Sequence, residues 1–169
     1  MKRDVFKKEL SYIVDEDIRE SLAIMIDKIP DYFFTIQAAS TGKYHPAFAQ
    51  GDGGLVRHTK AAVRMAYELY NIYKFPQRTK DLIIFALVLH DSVKKGEVET
   101  KWSLFDHPLI ACEFIKSNKK DLKLELNKLV DLLGGKDNII ETEVEMSRFK
   151  VTLKDITKAN KEGIIKLGA

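Results

Sequence analysis

Three residues in this chain have side chains and spacing suited to holding a cation. His58 stands in Gly54-Leu-Val-Arg-His58-Thr59, and the doublet His90-Asp91 closes the apolar run from Asp81 to Leu89. Taking an imidazole and a carboxylate out of water without partners costs several kcal/mol each, so a helix end that buries both needs a compensating group. A divalent cation bound by His58, His90 and Asp91 would compensate all three. Imidazole nitrogen with carboxylate oxygen suits Mn, Mg, Co, Ni, Fe or Zn, whereas a thiolate-rich structural zinc site has too few ligands with Cys112 as the single cysteine. A single histidine on an apolar helix face is ordinarily a hydrogen-bonded core residue. Here His58, His90 and His107, three of the four histidines, fall on inward stripes or helix starts, and that joint occurrence favours a shared site.

The elements that must position these residues read as helices. Residues 15–29 form an amphipathic segment with Ile18, Leu22, Met25, Ile26 and Ile29 on one stripe, stopped by Pro30. Residues 31–54, rich in turn formers, read as a long irregular connection, a kind of loop that is often functional. A helix over about 55–73 places Leu55, His58, Ala62, Ala66 and Leu69 at intervals of three and four, so His58 faces inward. The next, about 80–90, carries Ile83, Ala86, Leu87 and His90 along one side. Asp106 can cap a further helix with Pro108 in its first turn and His107 at its entrance. Another spans about 119–133 and ends at Gly134-Gly135. Polar and apolar residues alternate over 141–153, which predicts a short hairpin, and 153–167 can form a last helix. The fold class expected is an all-α bundle with a small β-hairpin near 141–153.

Composition bounds the remainder. With 169 residues and 45% hydrophobic content the chain is expected to form one domain, 1–169. The 28 basic and 25 acidic residues leave a formal charge of +3, no argument for a nucleic-acid or membrane partner. The lysines of 116–166 are interleaved with acids and read as a solvated surface. Cys112 is expected to fill space in the interior. No run reaches the roughly 18 apolar residues of a membrane span, and the first residues carry no secretory pattern, so a cytoplasmic protein is expected.

These residues together resemble the HD-domain metal-dependent phosphohydrolases, whose pattern is a histidine on one helix, a His-Asp doublet on the next and a later aspartate. His58 is similar to the first histidine, and Leu87-Val-Leu-His-Asp-Ser-Val-Lys94 to the doublet with its lysine three positions on. Asp106-His-Pro-Leu-Ile-Ala111 is similar to the family's next helix entrance. Lys43-Tyr-His-Pro46 ahead of Gly53-Gly-Leu-Val-Arg-His-Thr59 resembles small HD proteins of bacteriophages and their hosts. The resemblance covers about residues 40–115, and the C-terminal third, 116–169, departs from it: no histidine follows His107, and the final aspartate is open among Asp131, Asp137 and Asp155, with Asp155 the best match.

The resemblance implies a compact helical HD domain that hydrolyses a nucleotide or related phosphoester with a metal-activated water. The cation would be held by His58, His90, Asp91 and Asp155. Asp91 would also orient the nucleophile, Lys94 would neutralise phosphate charge or stand solvated in a basic turn, and His107 would donate a proton or touch substrate. Lys43, His45 and Arg57 are candidates for gripping the substrate, although His45 can equally pack on Pro46 and Tyr44. The alternatives are an HD nuclease acting on single-stranded nucleic acid, and a degenerate HD domain that binds a nucleotide or protein without turnover.

Overall fold

The computed structural model describes residues 1–39, 45–123, 132–145 and 148–166. The chain divides into two compact units, Met1–Leu124 and Glu125–Ala169.

The first unit is helical. Two short helices, α1 (Lys2–Val5) and α2 (Lys7–Leu10), precede α3 (Glu16–Lys28), and the periodicity did not reveal them because four residues are too few to show a stripe. Asp15 caps α3 by accepting from the backbone N–H groups of Asp17 and Ile18 at 3.0 and 3.1 Å, and Asp17 and Glu16 sit favourably at the positive end of its dipole. The helix buries the stripe Ile18, Leu22, Met25 and Ile26, as its spacing predicts. Helix α4 spans Gly54–Leu69 and α5 spans Gln77–Leu89, and α5 packs against both α3 and α4. Phe6, Phe33, Leu55, Val63, Ile84 and Leu89 complete the interior.

The buried stripes of α4 and α5 are turned by about one position from the expected ones. Leu55, Thr59 and Val63 are buried on α4, and Ile84, Phe85, Val88 and Leu89 on α5. His58 and His90 therefore lie on the half-buried margins of the two helices rather than at their centres. Met65 and Leu69, near the end of α4, are exposed.

One buried carboxylate ties α5 to the start of α3. Asp81 has no exposed surface and accepts from the backbone N–H of Val14 at 3.2 Å, that of Asp15 at 2.9 Å and the Gln77 amide at 2.8 Å. Three donors on one carboxylate satisfy a group that burial would otherwise make costly.

The connection before α4 is ordered by backbone pairing. Ala38 donates to Ala49, Gly53 to Thr35 and Leu55 to Ile36, at 2.8–2.9 Å. Gly54 is required there: a Cβ would lie 2.2 Å from the Ala49 carbonyl oxygen. Helix α6 spans His107–Ser117 with Pro108 in its first turn. Asp106 occupies the N-cap position, but its side chain makes no capping bond. Cys112 is exposed on α6, not interior as expected, since Ala111 and Phe114 take the buried face.

The second unit contains the predicted hairpin. Strand β1 (Ile139–Glu145) pairs antiparallel with β2 (Arg148–Leu153), with an irregularity between Ile139 and Glu141. Buried Asn138 closes its base, donating to the carbonyls of Leu133 and Asp155 and accepting from the Asp155 N–H. The expected last helix is broken into a 3₁₀ turn, Ile156–Lys158, and a short helix α7, Lys161–Lys166. Most of the helix expected over 119–133 lies outside the described residues; its start is a 3₁₀ turn at Lys119–Asp121. The expected all-α class therefore holds in the coarser sense of a mostly helical protein with one two-stranded sheet. Among the described residues no helix is long and apolar enough to cross a membrane.

Candidate metal centre

Helices α4 and α5 bring His58, His90 and Asp91 together, with one potential ligand atom from each lying within 4.8 Å of the others. His90 Nε2 is 3.4 Å and His58 Nε2 4.0 Å from Asp91 Oδ2. Ligands about 2.0–2.2 Å from a common ion stand no more than about 4.4 Å apart, so both separations fall within that span. Asp91 is buried, while the two histidines keep about a quarter and a third of their side chains exposed, which leaves a route for an ion from solvent.

His107, at the first turn of α6, places its Nε2 3.0 Å from the other carboxylate oxygen, Asp91 Oδ1. Lys94 approaches Oδ2 at 3.1 Å and also donates to the Ala38 carbonyl at 2.9 Å. It is neither a solvated lysine nor an open cation: the ammonium is buried and committed to two acceptors. Asp91 thus meets three imidazoles and an ammonium.

The tautomers of two imidazoles follow from their neighbours. His90 Nδ1 is 2.6 Å from the Leu87 carbonyl, and His107 Nδ1 is 2.6 Å from the Leu104 carbonyl. A carbonyl oxygen only accepts, so Nδ1 carries the proton in both rings and Nε2 turns toward Asp91. A neutral ring in this orientation aims a lone pair at a carboxylate oxygen, which is repulsive unless a proton or a metal ion lies between them. Backbone carbonyls that orient imidazoles in this way are a common feature around metal ligands.

The electrostatics agree with one shared negative charge. Burial pushes the Asp91 carboxyl up, but the hydrogen bond and charge of His90, with Lys94, outweigh it and hold the group well below the usual carboxylate range. Burial pushes His90 down, and Asp91 more than reverses this, leaving the imidazole above its ordinary value. At His58 burial prevails over the attraction of Asp91, and the imidazole lies below its ordinary value, which favours the neutral ring a metal requires.

The other predicted residues have different places. His45 packs edge-on against the His58 ring at 4.6 Å, a neighbour its sequence position did not suggest. Arg57 is no free grip for a substrate: it donates to the carbonyls of Phe48, Asp52 and Gln50 and fastens the loop ahead of its own helix. Lys43 lies outside the described residues, as does Asp131. Asp155, expected as the fourth ligand, belongs to the second unit. Its carboxylate caps the 3₁₀ turn there by accepting from the N–H and hydroxyl of Thr157. The carbonyls of Ala38, Leu87 and Leu104 escaped the sequence reading because every residue offers a carbonyl and only the fold selects which ones matter.

Comparison with known proteins corrects the family expectation. The chain matches, at residues 127–160, the family model described as phosphotransferase system, EIIB. No curated protein and no solved structure gives a match. This finding overturns the resemblance to the HD-domain family, and with it the expected phosphohydrolase activity, the nuclease and degenerate-HD alternatives and the nucleotide substrate. A few residues at helix spacing specify local geometry more strongly than ancestry. The matched segment lies wholly in the second unit, whereas the His58, His90 and Asp91 cluster lies wholly in the first.

Proposed function

We propose that the first unit binds a divalent cation through Nε2 of His58, Nε2 of His90 and a carboxylate oxygen of Asp91, with His107 beside the second oxygen. One observation carries this reading: imidazoles converge on a single buried carboxylate, and in two of them a backbone carbonyl holds the proton on the far nitrogen. Mn, Mg, Co, Ni, Fe and Zn all fit a nitrogen and oxygen donor set. Bound there, the ion would supply Lewis acidity and a fixed positive charge. Asp91 would share a negative charge with it, His90 and His107 would hold their orientation through Leu87 and Leu104, and Lys94 would keep Asp91 in place.

The match at 127–160 favours a second reading for the other unit, a part in phosphoryl transfer for sugar uptake alongside other phosphotransferase-system components. The matched residues hold no histidine or cysteine, so an imidazole or thiol that carried a phosphoryl group would have to come from outside that segment. A cytoplasmic location accords with both readings and with the lack of a membrane-spanning helix among the described residues.

Calorimetric titration of chelator-stripped protein with Mn²⁺ tests the first reading, with Asp91→Asn as the control. Binding that Asp91→Asn abolishes supports it; binding unchanged by the substitution places the ion elsewhere. Phosphorylation of the chain by a phosphorylated phosphotransferase-system component tests the second, and the absence of any labelled product would exclude it.

A further inference from the structure

We infer that a groove on the first unit binds a phosphorylated monosaccharide, with Trp102 as the platform for the sugar ring and Lys101 as the phosphate partner. The groove encloses about 190 Å³ and is lined by Ile36, Gln37, Lys95, Lys101, Trp102 and Ser103. Neither the cation cluster nor the segment matched at 127–160 uses any of these residues.

Three observations point to this ligand. Trp102 is 59% exposed, an apolar surface left open beside a cavity. Its face suits the C–H side of a sugar ring, and aromatic surfaces with a polar rim are typical of small-molecule sites. The Lys101 ammonium lies over the Trp102 ring, 5.2 Å from its centre, and has no carboxylate partner among the described residues, whereas Lys95 is already paired with Glu99. Lys101 is therefore the cation available to an anion beside the ring. Gln37 spends its carbonyl on the Gly51 N–H, and among the described residues its amide N–H₂ has no acceptor, so it can donate to a hydroxyl.

The walls are held before any ligand arrives. Leu104 N–H donates to the Lys94 carbonyl at 2.9 Å and Thr100 N–H to the Lys95 carbonyl at 2.8 Å, which closes the 94–104 loop on itself. Tyr32 fastens its base, donating to the Gly96 carbonyl and accepting from the Lys95 N–H. Gly96, at φ +87°, permits this turn, and a Cβ there would meet the Val98 carbonyl at 2.9 Å. A preformed loop lowers the ordering cost of binding.

Sites for drug-sized ligands run to about 300–1,000 Å³, and at about 190 Å³ this groove is on the scale of one sugar ring with its phosphate.

Trp102 is the single tryptophan of the chain, so its fluorescence reports on this groove alone. The full chain is titrated with glucose 6-phosphate in chelator, which keeps the result independent of the cation site. Glucose, inorganic phosphate and adenosine monophosphate serve as parallel probes. The expected result is a saturable change with glucose 6-phosphate, weakened about tenfold by Lys101→Ala, as loss of one charge-assisted bond implies. Glucose and phosphate alone should bind more weakly than the combined molecule. Lys101 and Trp102 are exposed, so Lys101→Ala keeps the circular dichroism of the parent, and Trp102→Phe followed by calorimetry gives an independent reading. No saturable change, a change indifferent to Lys101→Ala, or tighter binding of the nucleotide would each overturn the assignment.

Discussion

Replacing Lys94 with methionine should make the protein less stable without metal and more responsive to it. The methionine keeps most of the apolar stem and removes only the ammonium that bridges Asp91 Oδ2 and the Ala38 carbonyl. Breaking a buried ion pair from one side costs about 3–5 kcal/mol, because the surviving charge is left uncompensated. His90 and His107 still face the Asp91 carboxylate, so the lower end, about 3 kcal/mol, applies. For a unit of this size that corresponds to a melting temperature lower by about 10 °C. Mn²⁺ at a hundred times its Kd adds about 2.7 kcal/mol to a native state that alone binds it. In Lys94→Met the ion no longer meets a neighbouring ammonium, so its Kd falls and the thermal gain at a given concentration exceeds that of the parent. Calorimetric melting of both proteins, in chelator and in Mn²⁺, reads all four values. A variant as stable as the parent in chelator, or one that gains less from Mn²⁺ than the parent does, would contradict the role given to Lys94.

Other consequences follow from particular contacts. Asp81→Asn, which places an amide N–H₂ against the donors from Val14, Asp15 and Gln77, should cost about 2–4 kcal/mol, read by urea denaturation. Arg57→Ala frees three carbonyls of the 48–52 loop and should make that loop an early site of limited proteolysis while α4 remains intact. Burial pushes the Tyr70 hydroxyl up to about 12, so the folded state holds this proton more tightly than the unfolded one. The stability it contributes is present below pH 10 and is lost as the pH rises toward 12, and Tyr70→Phe should flatten that alkaline slope in melting experiments.

The helices that carry the cluster were legible because Leu55, Ala62, Ala66 and Leu69, and Ile83, Ala86 and Leu87, recur at helical spacing in long segments. The hairpin was legible from alternation alone. The margin positions of His58 and His90 were not, since a shift of one residue in the buried stripe depends on which neighbouring helix each face meets. Arg57 and Lys94 read as free cations, yet both are spent on carbonyls brought close by folding. The family reading failed for a different reason: His58 with His90-Asp91 encodes a local arrangement of donors, and that arrangement does not carry a substrate or a reaction with it.

Mn²⁺ titration followed by electron paramagnetic resonance, applied to the parent and to Asp91→Asn, reads out the proposed cation site at His58, His90 and Asp91. The parent is expected to take up the ion with nitrogen hyperfine coupling from imidazole, and Asp91→Asn, still folded by circular dichroism, to lose this signal. An ion bound equally well by both proteins, or a parent that takes up none, would contradict that site.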